Sequence, residues 1–324
     1  LRRALETGAV DVGTTDLAEG VRGAEVVVLA TPVGVTLDLA PTLARLLAPG
    51  TLVVDVGSTK GAVCRRMAEV LPPGVHFIGG HPMAGSERQG IEAADPYLFQ
   101  NAVFVLTPGD APAEVVSELS ALVGLTGAQV ALMDPDLHDR AVAAVSHLPH
   151  LLAASLVNTV MRMPESDEVL PLAAGGFRDT TRIAAGSPVM WRDIFSDNRE
   201  QVLKMIGRFR AELERFESMI GQEEREAIYD NLEFAKQARS GLPARTKGYL
   251  PCLFEIVVTV PDRPGVIAGF TAHLARAGLN ISDIEILRVR EGEGGTIRLG
   301  FATGEEQEQA VEVLKDKGYT VRRR

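Results

Sequence analysis

The chain has 324 residues, 46% hydrophobic and 23% charged, the balance of a folded globular protein with room for two or three domains. Its formal net charge of −10 argues against partners held through a broad basic surface, so neither a nucleic acid nor an anionic membrane is expected. The two cysteines, Cys64 and Cys252, form no CxxC pair, which leaves no disulfide framework and no zinc site and points to a reducing cytoplasm.

Leu1 to Thr7 reads as the end of a helix, with no secretory signal in it. From residue 10 to about 132, short apolar runs alternate with amphipathic stretches. Residues 25–30, 51–55, 75–78 and 102–106 read as buried strands, and 35–47, with leucines at 37, 39, 43, 46 and 47, as a helix. That alternation implies a parallel α/β sheet covered on both faces, whose ligands sit beyond the carboxyl ends of the strands. Thr31-Pro32-Val33 and Gly57-Ser58-Thr59-Lys60-Gly61 fall at two such ends. Ser58, Thr59 and Lys60 offer donors to a phosphate, a ribose or an anion; the alternative is an ordinary turn with Ser58 or Thr59 as a helix N-cap.

A third strand runs into Gly79-Gly80-His81-Pro82-Met83-Ala84-Gly85-Ser86-Glu87. A histidine at that edge can accept a proton near neutral pH, where few other side chains can. The alternative is a structural histidine, and the convergence of three strand ends favours the base. The apolar stretch from Ala141 to Val160 carries Ser146, His147, Pro149, His150 and Asn158, too many polar groups for a membrane span, and reads as a buried core helix. His147 and His150 share a face, but no carboxylate or cysteine joins them at metal-ligand spacing, so polar groups at a cleft are favoured over a metal. In Gly175-Gly176-Phe177-Arg178-Asp179-Thr180-Thr181-Arg182, an arginine could clamp a carboxylate, or the run could be a solvated helix end. From Trp191 to Ile220 apolar residues recur every three or four positions, the pattern of one long amphipathic helix suited to a dimer interface. Residues 241–251 form a linker, and beyond it the order β-α-β-β-α-β is ferredoxin-like, with residues 291–295 as a hairpin turn.

GSTKG at 57–61, GGHPMAGSE at 79–87, SHLPH at 146–150, GGFRDTTRIA at 175–184 and PVMWRDI at 188–194 follow the order seen in prephenate dehydrogenases. Residues 1–240 resemble that family, and residues 253–324, with PDRPGVIA at 261–268 and AGLNISDIEI at 277–286, resemble an ACT domain. The expected architecture is therefore an N-terminally incomplete α/β Rossmann-type domain (1–134), an all-α substrate and dimerisation domain (135–245) and a ferredoxin-like α+β ACT regulatory domain (251–324). The resemblance implies oxidative decarboxylation of prephenate to 4-hydroxyphenylpyruvate with NAD, NADP being left open, in a cytoplasmic homodimer.

By the same resemblance His81 is the base, and Ser58 hydrogen-bonds both His81 and the substrate hydroxyl. Arg182, with Arg178, holds a carboxylate and Asp179 orients the arginines. Ser86, Ser146, His147, His150 and Trp191 line the substrate pocket, with Glu87 beside it. Thr31, Pro32, Asp55, Gly57, Ser58 and Thr59 contact the cofactor. Gly265, Asn280 and Ile281 match the positions where tyrosine would bind as an effector. The sequence departs from the family in lacking the Gly-x-Gly-x-x-Gly turn and its flanking strands, about 30–40 residues by the length of a βαβ unit. Two accounts are open: a longer native chain, or a protein that binds cofactor poorly. Arogenate dehydrogenase, a catalytically impaired amino-acid-binding regulator and a generic hydroxyacid dehydrogenase are the rival functions. The last leaves SHLPH and GGFRD together unexplained.

Overall fold

The computed structural model describes residues 1–85, 90–241, 254–261, 263–287 and 295–323, in two compact units, Leu1–Gly248 and Tyr249–Arg324. In the first, the strands β1 (Val26–Leu29), β2 (Leu52–Asp55), β3 (His76–Pro82), β4 (Val103–Thr107) and β5 (Gln129–Leu132) are hydrogen-bonded in that order. Helix α1 (Val33–Ala44) links β1 to β2, α2 (Gly61–Val70) links β2 to β3, and α3 (Ala113–Gly124) links β4 to β5; a crossover helix lets each of these three pairs run parallel, and all three do.

β4, however, runs antiparallel to β3, so the sheet is mixed rather than fully parallel. Among the described residues between them there is only a 3₁₀ turn, Ile91–Ala93, and no crossover helix, which a parallel connection requires. β2 is buried along its whole length, as a strand covered on both faces must be. Ala40, Leu43, Val53, Val63 and Met67 pack on one side; Val54, Ile78, Leu106 and Leu119 pack on the other. β1 lies at the edge of the described sheet, with Val26 and Val28 exposed.

The helical part begins with one continuous helix, Pro135–Met161, made of α4 (Pro135–Val142), a π-helical turn (Ala143–His147) and α5 (Leu148–Met161). It is long and apolar enough to cross a membrane by length and composition, but it also carries His138, Asp139, His147 and His150, all buried. About a third of its most apolar stretch is buried within this chain, so the core helix expected from the sequence has one side uncovered. There follow α6 (Gly175–Thr181), α7 (Pro188–Asp197), α8 (Arg199–Gly221) and α9 (Arg225–Ser240). The single helix expected from Trp191 to Ile220 is thus two. The break is Asn198 (φ −100°, ψ 28°), which is buried, its amide donating to the Asp139 carbonyl at 2.8 Å. A tertiary hydrogen bond therefore overrides an unbroken helical period. The same bond and those of Asp139 to the α2 N-terminus tie the helices to the sheet, so that both lie in one compact unit.

The second unit has β6 (Phe254–Val260), α10 (Val266–Arg276), β7 (Asp283–Leu287), β8 (Gly295–Phe301), α11 (Gly304–Asp316) and β9 (Thr320–Arg323). Its antiparallel sheet has the order β7-β8-β6-β9, the ferredoxin-like arrangement expected. Ile256, Val258 and Val260 face the core while Glu255, Val257 and Thr259 do not, as the alternation requires. Most of the expected 291–295 hairpin turn lies outside the described residues.

Candidate active site

Three strand ends supply the site. β1 runs into Thr31 and Pro32, with Pro32 capping α1 and the Thr31 hydroxyl 2.8 Å from that of Thr36. β2 ends at Asp55, and the glycine-rich turn after it delivers Lys60 as the cap of α2. β3 runs on past Ile78, so His81 is itself a strand residue, paired with Val105. Glycine makes this close packing possible: a Cβ on Gly80 would lie 2.5 Å from the Asp55 carbonyl oxygen, and one on Gly79 would collide with the Thr107 hydroxyl.

Beneath these loops lies a buried ion pair. Lys60 is 0% and Asp55 1% exposed, and the ammonium bonds the Asp55 carboxylate and, at 2.6 Å, the Gly80 carbonyl. Asp55 also accepts the N–H groups of Gly57 (2.9 Å) and Gly80 (3.2 Å). Burial pushes the Asp55 carboxyl up, against the pull of Lys60 and these bonds. Every one of these bonds is internal, and the pair braces the two loops at which Asp55 is expected to contact the cofactor. The Thr59 hydroxyl is buried without a hydrogen-bond partner among the described residues.

Ser58 is half-buried, and the hydrogen bond expected from it to His81 is not formed. The Nδ1 of His81 instead lies 2.8 Å from Nε2 of His138, and His138 Nδ1 lies 2.8 Å from Asp139 Oδ1. Asp139 in turn accepts the backbone N–H groups of Lys60 and Gly61, each at 2.8 Å. Burial pushes Asp139 up, but those bonds outweigh it and hold its carboxyl below the usual range. Sequence reasoning missed both residues. The available signal was a His-Asp pair in the first turns of a helix, just past the carboxyl end of β5.

Burial, followed by the fields of His138, Lys60 and His147 and opposed by Asp139, pushes His81 down to about 3. The ordinary imidazole titration near 6.5 is thereby displaced, and His81 is a neutral imidazole through the neutral range. Burial likewise pushes His147 down to about 4 and lowers His150.

The π turn explains how α4 and α5 serve one site. His138 and His147 are nine residues apart, which in an ideal α-helix is about 900°, or opposite faces; the extra residue of a π turn takes back about 100°. His147 Nδ1 then lies 3.3 Å from the Asn198 amide. Trp191 of α7 stacks on His150 (3.6 Å, 11°) and meets His147 edge-on (6.0 Å). Ser146 is half-buried in the same turn. Arg178 and Arg182 are both exposed; Arg178 donates to the Ala173 carbonyl at 3.2 Å. No ion pair joins Asp179 to either arginine, so the orienting role expected of it is not seen. The 3₁₀ turn that Arg182 begins packs on α5, the helix of His150. Ser86 and Glu87 lie outside the described residues. In the second unit, Gly265 has a left-handed backbone (φ +86°) at the cap of α10, and it and Asn280 are exposed while Ile281 is half-buried.

Two neutral histidines, the half-buried His81 and the buried His147, make the fold acid-sensitive. A base with its folded pKa lowered contributes no penalty above about 6.5; below that the unfolded chain takes up the proton first, and stability falls with pH. Between pH 6.5 and about 4 the expected loss is about 2.7 kcal/mol per pH unit, twice the per-group value. Urea titrations across this range check it: His147→Gln is expected to halve the slope, and a flat profile contradicts the buried-neutral assignment.

A dinucleotide-binding type of sheet whose strand ends converge on a half-buried neutral histidine, joined to a helical region and a ferredoxin-like module, defines a dehydrogenase with an appended regulatory-type domain. The chain belongs to the prephenate dehydrogenase family, whose members are NAD-dependent oxidoreductases: residues 1–132 match its nucleotide-binding domain, 134–234 its dimerization domain and 254–316 the ACT domain. It is 39% identical to the prephenate dehydrogenase of Bacillus subtilis over 318 residues, 96% of this chain and 85% of that protein. The structure of the Aquifex aeolicus prephenate dehydrogenase in complex with hydroxyphenyl propionate and NAD+ is 35% identical, with a TM-score of 0.69 over 75% of this chain and 85% of that one. A Synechocystis arogenate dehydrogenase is 30% identical, with a TM-score of 0.66 over 74% and 86%.

Proposed function

We propose that this chain oxidatively decarboxylates prephenate to 4-hydroxyphenylpyruvate in tyrosine synthesis, with His81 as the base. The observation that carries the reading is His81 itself. It is half-buried and neutral, its Nδ1 is engaged by His138, and its Nε2 is without a partner among the described residues, at the meeting of three strand ends. The orphaned Thr59 hydroxyl, the half-buried Ser58 and the Thr31–Pro32 turn lie at those ends and fit the nicotinamide half of a dinucleotide. NAD, when bound there, supplies the hydride acceptor.

His81 Nε2 takes the proton of the ring hydroxyl as the carbon beside it is oxidised to a carbonyl. Loss of the ring carboxylate as CO2 then sends an electron pair into the ring, the carbonyl oxygen becomes a phenolate, and His81 returns the proton to it. The proton therefore leaves and comes back to one oxygen, and the reaction needs no net acid or base. Arg182, with Arg178, holds a substrate carboxylate, and Ser58, Ser146, His147, His150 and Trp191 line the pocket. Three domains, 1–134, 135–245 and 251–324, divide the work. The uncovered side of Pro135–Met161 suits a homodimer, the ACT module takes tyrosine as effector near Gly265, Asn280 and Ile281, and the enzyme is cytoplasmic.

NADH formation with prephenate, with and without tyrosine, is the test; no NADH from the full-length protein overturns the reading. Because the Synechocystis relative is an arogenate dehydrogenase, the assay is run on both substrates. A kcat/KM higher for arogenate transfers the proposal to that substrate. Arg182→Ala is expected to raise KM for prephenate by about 10- to 100-fold with kcat less affected, as loss of a charge-assisted carboxylate contact of about 1.5–3 kcal/mol requires. An unchanged KM removes Arg182 from the pocket.

A further inference from the structure

We propose that His81, His138 and Asp139 form a relay in which His138 is a positioning residue: it fixes the ring nitrogen that His81 presents to the substrate and shares the proton that His81 takes up. This rests on the reading of His81 as the base.

With His138 neutral, the hydrogen bonds fix both tautomers. Asp139 is surrounded by donors: the N–H groups of Lys60 and Gly61 at the start of α2, each at 2.8 Å, with His138 Nδ1 at the same distance. An ionised carboxylate only accepts, and a helix N-terminus favours its charge, so His138 must carry its proton on Nδ1. The Nε2 of a neutral His138 is then a lone pair, facing His81 Nδ1 at 2.8 Å. Two lone pairs cannot meet at that distance, so His81 is protonated on Nδ1 and bare on Nε2. Nε2 is the atom without a partner among the described residues, and it is the one that must accept the hydroxyl proton. Without His138, no described group selects between the two neutral tautomers.

The same chain of bonds stores the proton. When the substrate O–H bond breaks and an N–H bond forms on His81 Nε2, the Nδ1 proton can move toward His138 Nε2, which places positive charge next to the Asp139 carboxylate. The charges around the ring pair otherwise oppose a cation: Lys60 and His147 both act against a protonated His81, Lys60 being itself paired with Asp55, and Asp139 is the group that favours one. When the phenolate takes the proton back, each shift reverses, and no proton or electron is left over. Asp139 is rigid enough for this role. Its carboxylate bridges two backbone N–H groups, and its carbonyl is held by Asn198 at 2.8 Å, the bond that breaks the helix between α7 and α8. The arrangement parallels the general logic of a base oriented by a third group, reached here through a second histidine.

The test uses the full-length enzyme with histidine-selective ¹⁵N labelling. In the wild type, His81 is expected to show the Nδ1–H tautomer; finding Nε2–H overturns the proposal whatever the variants do. His138→Phe removes the acceptor at similar size and is expected to lower kcat by about 10²- to 10³-fold, within the range general base catalysis contributes. KM for prephenate is expected to stay within about threefold and the His81 signal to become a mixture of tautomers. His138→Gln offers an amide oxygen to His81 Nδ1 and an amide N–H to Asp139, and is expected to recover at least tenfold of that loss. A merely structural role predicts equal losses in both variants with an unchanged tautomer. Wild-type kcat in His138→Phe beside an inactive His81→Asn overturns the relay alone, whereas near-normal turnover in His81→Asn overturns the reading on which it rests.

Discussion

His81→Asn is expected to lower kcat by at least about 10²-fold while leaving prephenate and NAD binding nearly intact, because general base catalysis contributes about 10²–10⁴. The substitution is selective for basicity. An asparagine amide N–H can still donate toward His138 Nε2, as Nδ1 of His81 does at 2.8 Å, and the side chain it replaces is neutral. What is lost is the lone pair on Nε2. Steady-state NADH formation and equilibrium binding of each substrate check the split, and turnover within about threefold of wild type removes His81 from the chemistry. The pH profile carries the second half of the expectation. The neutral form is the active one, and burial with the fields of His138, Lys60 and His147 holds the pKa at about 3. The rate on free enzyme, kcat/KM, is therefore expected to show no fall from His81 as pH drops from 7 to 5, where an unperturbed imidazole would lose most of its activity. A fall with a midpoint near 6.5 contradicts the burial argument.

What was legible in the sequence and what was not divides by range. Val53, Val54 and their neighbours announce a doubly covered strand through composition alone, and the period-two alternation from Phe254 to Val260 announces a one-faced one. His81 was readable because it follows such a run, so its place at the ligand edge is a local fact. His138 was not, because its meaning comes from a partner 57 residues away in sequence. Asn198 shows the same limit from the other side: a helical period runs through it, and only the carbonyl of Asp139, 59 residues away, explains why the helix stops there. The reversal of β4 is a third case, since antiparallel entry follows from the lack of a crossover helix among the described residues before it rather than from any signal within the strand. Ser58 follows β2 at the same edge of the sheet, but the side chain that bonds His81 is His138, which local pattern could not bring near. Local periodicity thus finds elements and their ends, whereas side-chain partnerships across the fold decide which residue at each end does what.

The Lys60–Asp55 pair turns that lesson into a stability measurement. Lys60→Met is expected to destabilise the protein by about 3–5 kcal/mol, the cost of leaving a buried charge without its partner. Both groups are essentially unexposed, and the ammonium also serves the Gly80 carbonyl, so neither water nor another described cation replaces it. Restoring neutrality is expected to recover most of the loss. In Asp55→Asn combined with Lys60→Met, the amide oxygen can still accept from the backbone N–H of Gly57 or Gly80, and no charge remains buried. Denaturant titration of the two variants against wild type measures the difference. The competing idea, that Lys60 reaches a bound anion, makes the opposite forecast: KM for the dinucleotide would rise while the unfolding free energy stayed within about 1 kcal/mol, the usual range for an exposed pair. The burial of both partners favours the structural outcome. Because Gly80 precedes His81 on β3, the single variant is also expected to lose turnover, and the double variant to regain it only as far as the strand returns to register.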